Sequence, residues 1–208
     1  MLKRSLTLGF IVFAAYRLLG DNAPPVTTTA AATLPGFEFS PRLDIGKDPI
    51  QRAVRNVPAV RAKSYLVTLL ASFQVAGRVL GSERYRSGRE AELSPIDLAM
   101  GWGPMADSAV LASVEISQSG RFYFWHVDAF PIPAHDIVSH SANMHMLPAS
   151  AAVAEALKSV RAGQNVRFKG YLVKVDADDG WHWRSSTTRN DQGAGACEVV
   201  LIDTIETI

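Results

Sequence analysis

The chain has a single cysteine, Cys197, and almost no imbalance of charge. One cysteine excludes an intrachain disulfide framework, so the fold must be held together by core packing, and a thiolate-ligated zinc site would lack its usual partners. The 21 lysines and arginines are balanced by 20 aspartates and glutamates. A net charge of +1 supplies no field that would attract a phosphate backbone, so we expect no nucleic-acid partner.

The N-terminus carries the pattern of an export signal or membrane anchor. Lys3 and Arg4 precede the apolar run of residues 6–16, and Arg17 follows it. This order is typical of a secretory leader or of a short single-pass anchor. Since no clean cleavage site follows, we favour an uncleaved anchor over residues 1–20, with cleavage and an ordinary buried helix as the alternatives. The positive-inside rule then places the rest of the chain outside the cytoplasm. The predicted location is the bacterial inner membrane, with the C-terminal domain facing the periplasm.

The remaining 188 positions divide into a linker and one domain. Residues 21–57 are rich in small residues and proline, which predicts a flexible or irregular linker. Residues 58–208 are long enough for one well-buried core and too short to make two independent domains the default. We therefore expect a single globular domain over 58–208.

Hydrophobic periodicity indicates a β-rich domain with one main helix. Every odd position from Tyr65 to Val75 is apolar, which predicts a long strand with one buried face. Residues 121–127 are apolar on both faces and predict a central strand, preceded by a hairpin turn at Ser119-Gly120. Val153, Ala156, Leu157 and Val160 recur at helical spacing. The predicted fold is α+β: a curved antiparallel sheet or an OB-like open barrel with one main helix.

The strand predicted after that helix changes phase near Lys169-Gly170. Val166 and Phe168 share one parity, whereas Tyr171, Val173 and Val175 share the other. We expect a bulge or bend at this point, which would turn both apolar sets towards one core.

Two elements near the C-terminus resemble those of a known group of proteins. They lie at residues 140–145, His-Ser-Ala-Asn-Met-His, and at residues 189–198, which end in Gly-Ala-Cys-Glu. Similar Ser-x-Asn-x-His and Arg-x-Asp-x-Gly-x-Gly-Ala-Cys-Glu elements occur in small, N-terminally anchored bacterial proteins of unknown function. The resemblance runs from about Tyr65 to the end of the chain. It implies a shared domain and carries no activity with it.

These elements supply the candidates for catalysis. A thiol nucleophile at Cys197 would need a base, which His140, His145 or His182 could provide, and an orienting group such as Asn143 or Asp191. The alternative is a buried, inert cysteine, because Cys197 shares its strand face with the apolar residues 199 and 201.

Other residues are candidates for ligand binding. Arg189, beside two glycines, could clamp an anion, or could instead pair with Asp191 to hold a hairpin. Trp181 and Trp183 share one strand face and would suit a stacking platform for a sugar or peptide, although core packing explains most such pairs. Asn143 is the remaining polar candidate.

No metal or cofactor is expected. His140 and His145 are five residues apart, a spacing that points them to opposite faces of a strand and does not converge them on a helix. The sequence thus favours a membrane-tethered, extracytoplasmic module that binds an envelope protein, a peptide or a glycan. The competing hypothesis is a thiol- or histidine-dependent hydrolase or transferase that uses Cys197 with His140 or His145.

Overall fold

A long strand does begin at Tyr65, and the other strands are arranged around it. The computed structural model describes residues 34–57, 59–62, 64–188 and 196–208. Within these ranges the strands are β1 (Ile50–Ala53), β2 (Val60–Ala62), β3 (Tyr65–Arg84), β4 (Ile96–Gly101), β5 (Glu115–Ser119), β6 (Phe122–His126), β7 (Ser141–Pro148), β8 (Asn165–Ala177), β9 (His182–Arg184) and β10 (Glu198–Thr207). The helices are α1 (Arg89–Leu93), α2 (Ser108–Leu111), α3 (Ala134–Ser139) and α4 (Ala151–Ser159), with a 3-10 turn at Gly103–Ala106.

Five of these strands close into a ring. β3 pairs with β4, β4 with β7, β7 with β10, β10 with β8, and β8 returns to β3. The β7–β10 pair is parallel and the other four are antiparallel. The sheet is therefore mixed, and the chain needs a long crossover between β7 and β10 to make the parallel pair. The β-rich α+β class predicted from the sequence is confirmed.

The ring curves because two strands carry three extra residues, two in β3 and one in β10. Leu70 is the extra residue where β3 meets β8, Leu80 where β3 meets β4, and Asp203 where β10 meets β8. Such bulges bend a strand and increase its local twist. Gly170 faces the bulge at Asp203, and a Cβ at this glycine would collide with the carbonyl oxygen of Leu201. β8 and β10 can approach closely here only because residue 170 has no side chain.

The bulge in β3 divides its apolar residues between two cores. Phe73 and Val75 lie inside the ring, in a cluster that all five strands contribute to. Tyr65, Val67 and Leu69 lie in a second cluster on the outside of the ring. The prediction of one buried face is wrong in this respect, because the extra residue at position 70 shifts the phase and turns the second half of the strand over.

β8 also faces both cores, but without an extra residue of its own. Val166, Phe168 and Leu172 point into the ring, whereas Tyr171 and Val173 point to the outer cluster. The expectation that a bulge at Lys169-Gly170 turns both sets towards one core is therefore wrong. The strand keeps its alternation, and the extra residues belong to its neighbours β3 and β10.

The main helix predicted from the periodicity is α4, which packs at one end of the ring. Ser150 caps it by accepting a hydrogen bond from the Val153 amide at 3.3 Å, which satisfies one of the orphan donors of the first turn. Val153 and Leu157 pack into the inner core. Since α4 lies between β7 and β8 in the chain, it is also part of the crossover that the parallel pair requires.

Residues 34–57 lie against the outside of the ring. The Tyr171 hydroxyl donates to the carbonyl of Pro35, and Phe37 packs edge-on against the Tyr171 ring. β1 extends the sheet by pairing with β3. Among the described residues no helix has the length and apolar character needed to cross a bilayer; the predicted anchor over residues 1–20 lies outside them.

The segment predicted to be a central strand is instead half of a separate hairpin. β5 and β6 pair with each other alone within the described part of the chain, and their turn is Gly120-Arg121, with φ of 59° and 73°. Trp125 packs into a third small core with Met105 and Ile137. The run is apolar on both faces because one face packs on this core and the other carries the exposed rings of Phe122 and Phe124.

Candidate functional site: a cavity beside a buried polar network

A buried acid–base pair fastens the hairpin to the ring. Asp97 lies on the outer side of β4, between residues that point into the core, and is fully buried. Arg121 reaches it from the hairpin turn, with Nη1 2.7 Å from Asp97 Oδ1. The same Nη1 donates to the Ser94 carbonyl at 2.9 Å. A buried carboxylate needs such a partner, since an uncompensated charge in the interior is strongly destabilising.

Asn143 on β7 joins the hairpin to the same carboxylate. Its Nδ2 donates to the Arg121 carbonyl at 2.9 Å and lies 3.5 Å from Asp97 Oδ2. Its Oδ1 accepts from Gln118 Nε2 at 2.9 Å. Gln118 can reach across only because Gly81 lies beneath it, where a Cβ would collide with Gln118 Oε1. Both ends of the amide are thus used, which fixes its orientation.

His145 is the next member of this cluster. It lies opposite Asp97 in the β4–β7 register, and its Nδ1 is 2.9 Å from Asp97 Oδ2. The two atoms are close enough for an ion pair, but the alignment falls short of a hydrogen bond. The imidazole stacks at 4.6 Å on Trp183. We call Asp97, Arg121, Asn143, His145 and Gln118 the Asp97 network.

The amide, the carbonyl and the guanidinium of Arg121 all contact neighbouring groups. Its amide donates to Tyr85 Oη at 3.0 Å, and its guanidinium lies 3.6 Å from the centre of the Tyr85 ring. Its carbonyl accepts from Asn143 and, at 3.8 Å, from the thiol of Cys197. A positive φ is unfavourable for a residue with a long side chain. These contacts offset that strain and explain how arginine is retained at a turn position that favours glycine or asparagine.

A cavity of about 280 Å³ opens between the hairpin and the start of β7 and β10. Its described lining combines aromatic rings, hydroxyl groups, an amide, a thiol and a carboxylate. These residues are Trp102, Phe122, Tyr123, Phe124, Trp125, Val138, Ser139, Ser141, Ala142, Asn143, Thr188, Ala196, Cys197 and Glu198. Apolar walls with a few fixed polar groups are typical of ligand sites.

Tyr123 and Ser141 fix the polar side of this cavity. Ser141 Oγ donates to the Ile137 carbonyl at 2.5 Å, so the Tyr123 hydroxyl, 2.8 Å away, donates to Ser141. Burial raises the pKa of Tyr123, and the nearby Glu198 carboxylate raises it further. At neutral pH the phenol is therefore a neutral donor.

The structure brings some of the predicted residues together and separates others. Asn143 and Cys197 line the cavity, and His145 lies behind Asn143 in the Asp97 network. His140 belongs elsewhere: its Nδ1 lies 2.9 Å from the Asp136 carbonyl. The Cys197 thiol donates to the Arg121 carbonyl at 3.8 Å. Arg189 and Asp191 lie outside the described residues.

The two tryptophans predicted as a platform are half-buried and pack on the outer core. Trp181 and Trp183 lie 6.2 Å apart. Trp181 is edge-on to Tyr65 and 5.3 Å from the Arg89 guanidinium, while Trp183 covers His145. They support neighbouring side chains on several sides, and neither lines the cavity.

Sequence reasoning missed Asp97, Arg121 and Gln118. One signal was available: Asp97 is the single charged residue in the otherwise apolar run from Ile96 to Met100, and a charge in a buried strand requires a partner. Its partner could not be identified from the sequence, because Arg121 looks like an ordinary turn residue.

Within the described ranges no three histidine, cysteine or acidic side chains converge as the ligands of a metal ion would. Comparisons with protein-family models, curated proteins and solved structures find no match to this chain. The geometry of the site itself must therefore support any functional conclusion.

Proposed function

We propose that this chain is a non-catalytic binding module, tethered to the membrane by its N-terminal segment and displayed outside the cytoplasm. Its ligand is an envelope protein segment, a peptide or a glycan, and it binds in the cavity between the hairpin and the ring. One observation carries the proposal: aromatic side chains and fixed hydrogen-bonding groups face the same accessible space.

We also propose that the five-stranded ring is an OB-like barrel. A ring of five strands, with one helix between the third and fourth, supports it. OB-folds bind ligands on the outer face of their second and third strands, which here correspond to β4 and β7. In this protein the hairpin covers that face and is held there by the Asp97 network. The ligand therefore binds in the cavity beside the hairpin and not on the outer face of β4 and β7.

The rigidity of the polar wall favours binding over catalysis. Tyr123, Ser141 and Asn143 are each engaged by protein partners that set their directions. Preorganised groups of this kind lower the entropic cost of binding. The Cys197 thiol likewise donates to the backbone carbonyl of Arg121 at 3.8 Å, so a contact within the protein orients this side chain too.

A thiol-dependent hydrolase or transferase is the second candidate, because Cys197 lines the cavity and the Asp97–His145 pair lies nearby. Labelling the full chain with iodoacetamide separates the two functions. A binding module predicts slower labelling in the native protein than in urea, since the thiol is partly covered. Faster labelling in the native protein than in urea would favour the enzyme.

The binding test uses a blocked cavity. Thr188 is exposed and lines the cavity, whereas the equally exposed Thr187 does not. The full chain is screened against a phage-displayed library of random peptides and against a glycan array. We expect ligands that bind the wild type and Thr187→Trp and bind Thr188→Trp at least about tenfold more weakly. Ligands that bind all three proteins equally would place the site elsewhere and contradict the proposal.

A further inference from the structure

One edge of β6 offers main-chain hydrogen-bonding groups to the cavity. The hairpin turn has two residues, so Ser119 and Phe122 form its closing hydrogen-bonded pair, and such pairs alternate with non-bonded pairs along the ladder. Ser117–Phe124 is therefore bonded, whereas the amides and carbonyls of Tyr123 and Trp125 point away from β5. Within the described chain β6 pairs with β5 alone, and no backbone hydrogen bond involves the outward groups of these two residues.

The cavity lies along this edge. Four consecutive residues, 122–125, line it. Because neighbouring side chains of a strand point to opposite faces, a space that touches all four must run beside the strand, past the backbone groups. Ser141, Ala142 and Asn143 at the start of β7 form the opposite wall. The slot is therefore bounded by a strand edge on one side and by the ring on the other.

The side chains along the slot define the chemistry of an occupant. Phe122 and Phe124 lie on one face of the hairpin and are 39% and 53% exposed, large values for phenylalanine in a folded domain. Glu198 also lines the slot, as a largely buried carboxylate. The exposed rings favour an occupant that has β-branched or aromatic side chains at alternate positions.

We infer that β6 binds an extended peptide with alternating apolar side chains by adding it as a third strand of the hairpin sheet. Main-chain hydrogen bonds to Tyr123 and Trp125 supply affinity, and the two phenylalanines select alternate side chains of the peptide. This inference rests on the proposed function, because it names the ligand class of the same cavity. The polar wall of Tyr123, Ser141 and Asn143 then contacts the opposite face of the bound peptide strand.

Amide hydrogen exchange tests this pairing directly. The probe is the peptide Lys-Val-Thr-Val-Thr-Val-Lys, added to the full chain in detergent micelles. Before addition, the Tyr123 and Trp125 amides should exchange rapidly and the Phe124 amide slowly, because only Phe124 donates to β5. With the peptide bound, exchange at Tyr123 and Trp125 should slow at least about tenfold, while Phe124 stays unchanged.

Two N-methylated forms of the probe provide the matched control. One carries N-methyl groups on the valines and the other on the threonines, so that each blocks one edge of the extended peptide. We expect one form to bind at least about tenfold more weakly than the other, since only one edge of a strand can face β6. Equal binding of both forms, with no new protection at Tyr123 and Trp125, would overturn strand addition.

The outcomes separate this inference from the proposed function. A probe peptide that binds the wild type, fails to bind Thr188→Trp and leaves the two amides unprotected would keep the cavity as a binding site and refute strand addition. If the wild type binds glycans but not the peptide, and Thr188→Trp binds neither, the peptide is refuted as the ligand class while the cavity remains the binding site.

Discussion

Arg121 Nη1 lies 2.7 Å from Asp97 Oδ1, joining the tip of the hairpin to a fully buried carboxylate on β4. The arginine side chain is 18% exposed and the aspartate side chain is completely covered. The pair thus lies where the protein screens charge far less than water does. Since the hairpin adds one wall of the cavity, the stability of this contact and the shape of the site are linked.

Removing the charge of Asp97 should therefore destabilise the folded protein. In Asp97→Asn the guanidinium of Arg121 stays buried without a counter-charge, and we expect a loss of about 3–5 kcal/mol in the free energy of unfolding. Urea denaturation followed by tryptophan fluorescence measures it. The matched control is Arg89→Ala, which breaks the exposed pair with Asp179 and should cost much less. Equal losses in the two variants would show that Asp97 has no special role.

Gly81 and Gln118 should be energetically coupled. A Cβ at position 81 would displace the Gln118 amide and with it the hydrogen bond to Asn143, so Gly81→Ala should cost about 1 kcal/mol. In a Gln118→Ala background the same change removes no hydrogen bond and should be close to neutral. A double-mutant cycle by urea denaturation measures the coupling. Additive effects would mean that Gly81 is needed for another reason.

Tyr123 should make the domain sensitive to alkali. Burial, followed by the charge of Glu198, raises the pKa of Tyr123 above its ordinary value of 10.0. A higher pKa in the folded state means that the stabilising effect is present below pH 10.0 and is lost as the pH rises through the folded value. The absorbance titration of the wild type minus that of Tyr123→Phe should have its midpoint above pH 10.0. In urea the midpoint should return to the ordinary value; identical midpoints would contradict burial of this phenol.

The orientation expected from Lys3 and Arg4 can be tested with C-terminal reporters. A fusion to alkaline phosphatase, which is active only outside the cytoplasm, should be active with residues 1–20 present. Deletion of residues 1–20 should abolish that activity while leaving the protein abundant. A green fluorescent protein fusion serves as the reciprocal control. Phosphatase activity that persists after the deletion would refute the proposed anchor.

Several features of the site could not be predicted from the sequence, because they depend on residues that are far apart in the chain. Asn143 and Cys197 stood out from their neighbours and do line the cavity. His140 stood out equally but bonds to its own helix, since the turn between α3 and β7 sends it away from Asn143. Asp97 and Arg121 form a buried ion pair, yet 24 residues separate them and neither belongs to a recognisable motif.

Local pattern alone determined the long strand that begins at Tyr65 and the position of the main helix, because alternation and helical spacing report directly on burial within a few residues. Only the tertiary structure decided which core each strand face meets, since one extra residue at Leu70 reverses a face without disturbing the alternation. Tertiary structure likewise made residues 122–126 a hairpin edge beside a cavity. An apolar run does not by itself distinguish a central strand of a sheet from an edge strand of a hairpin. Arg121 folds back onto Asp97 and holds the hairpin against the ring, and the cavity lies between the hairpin and the ring.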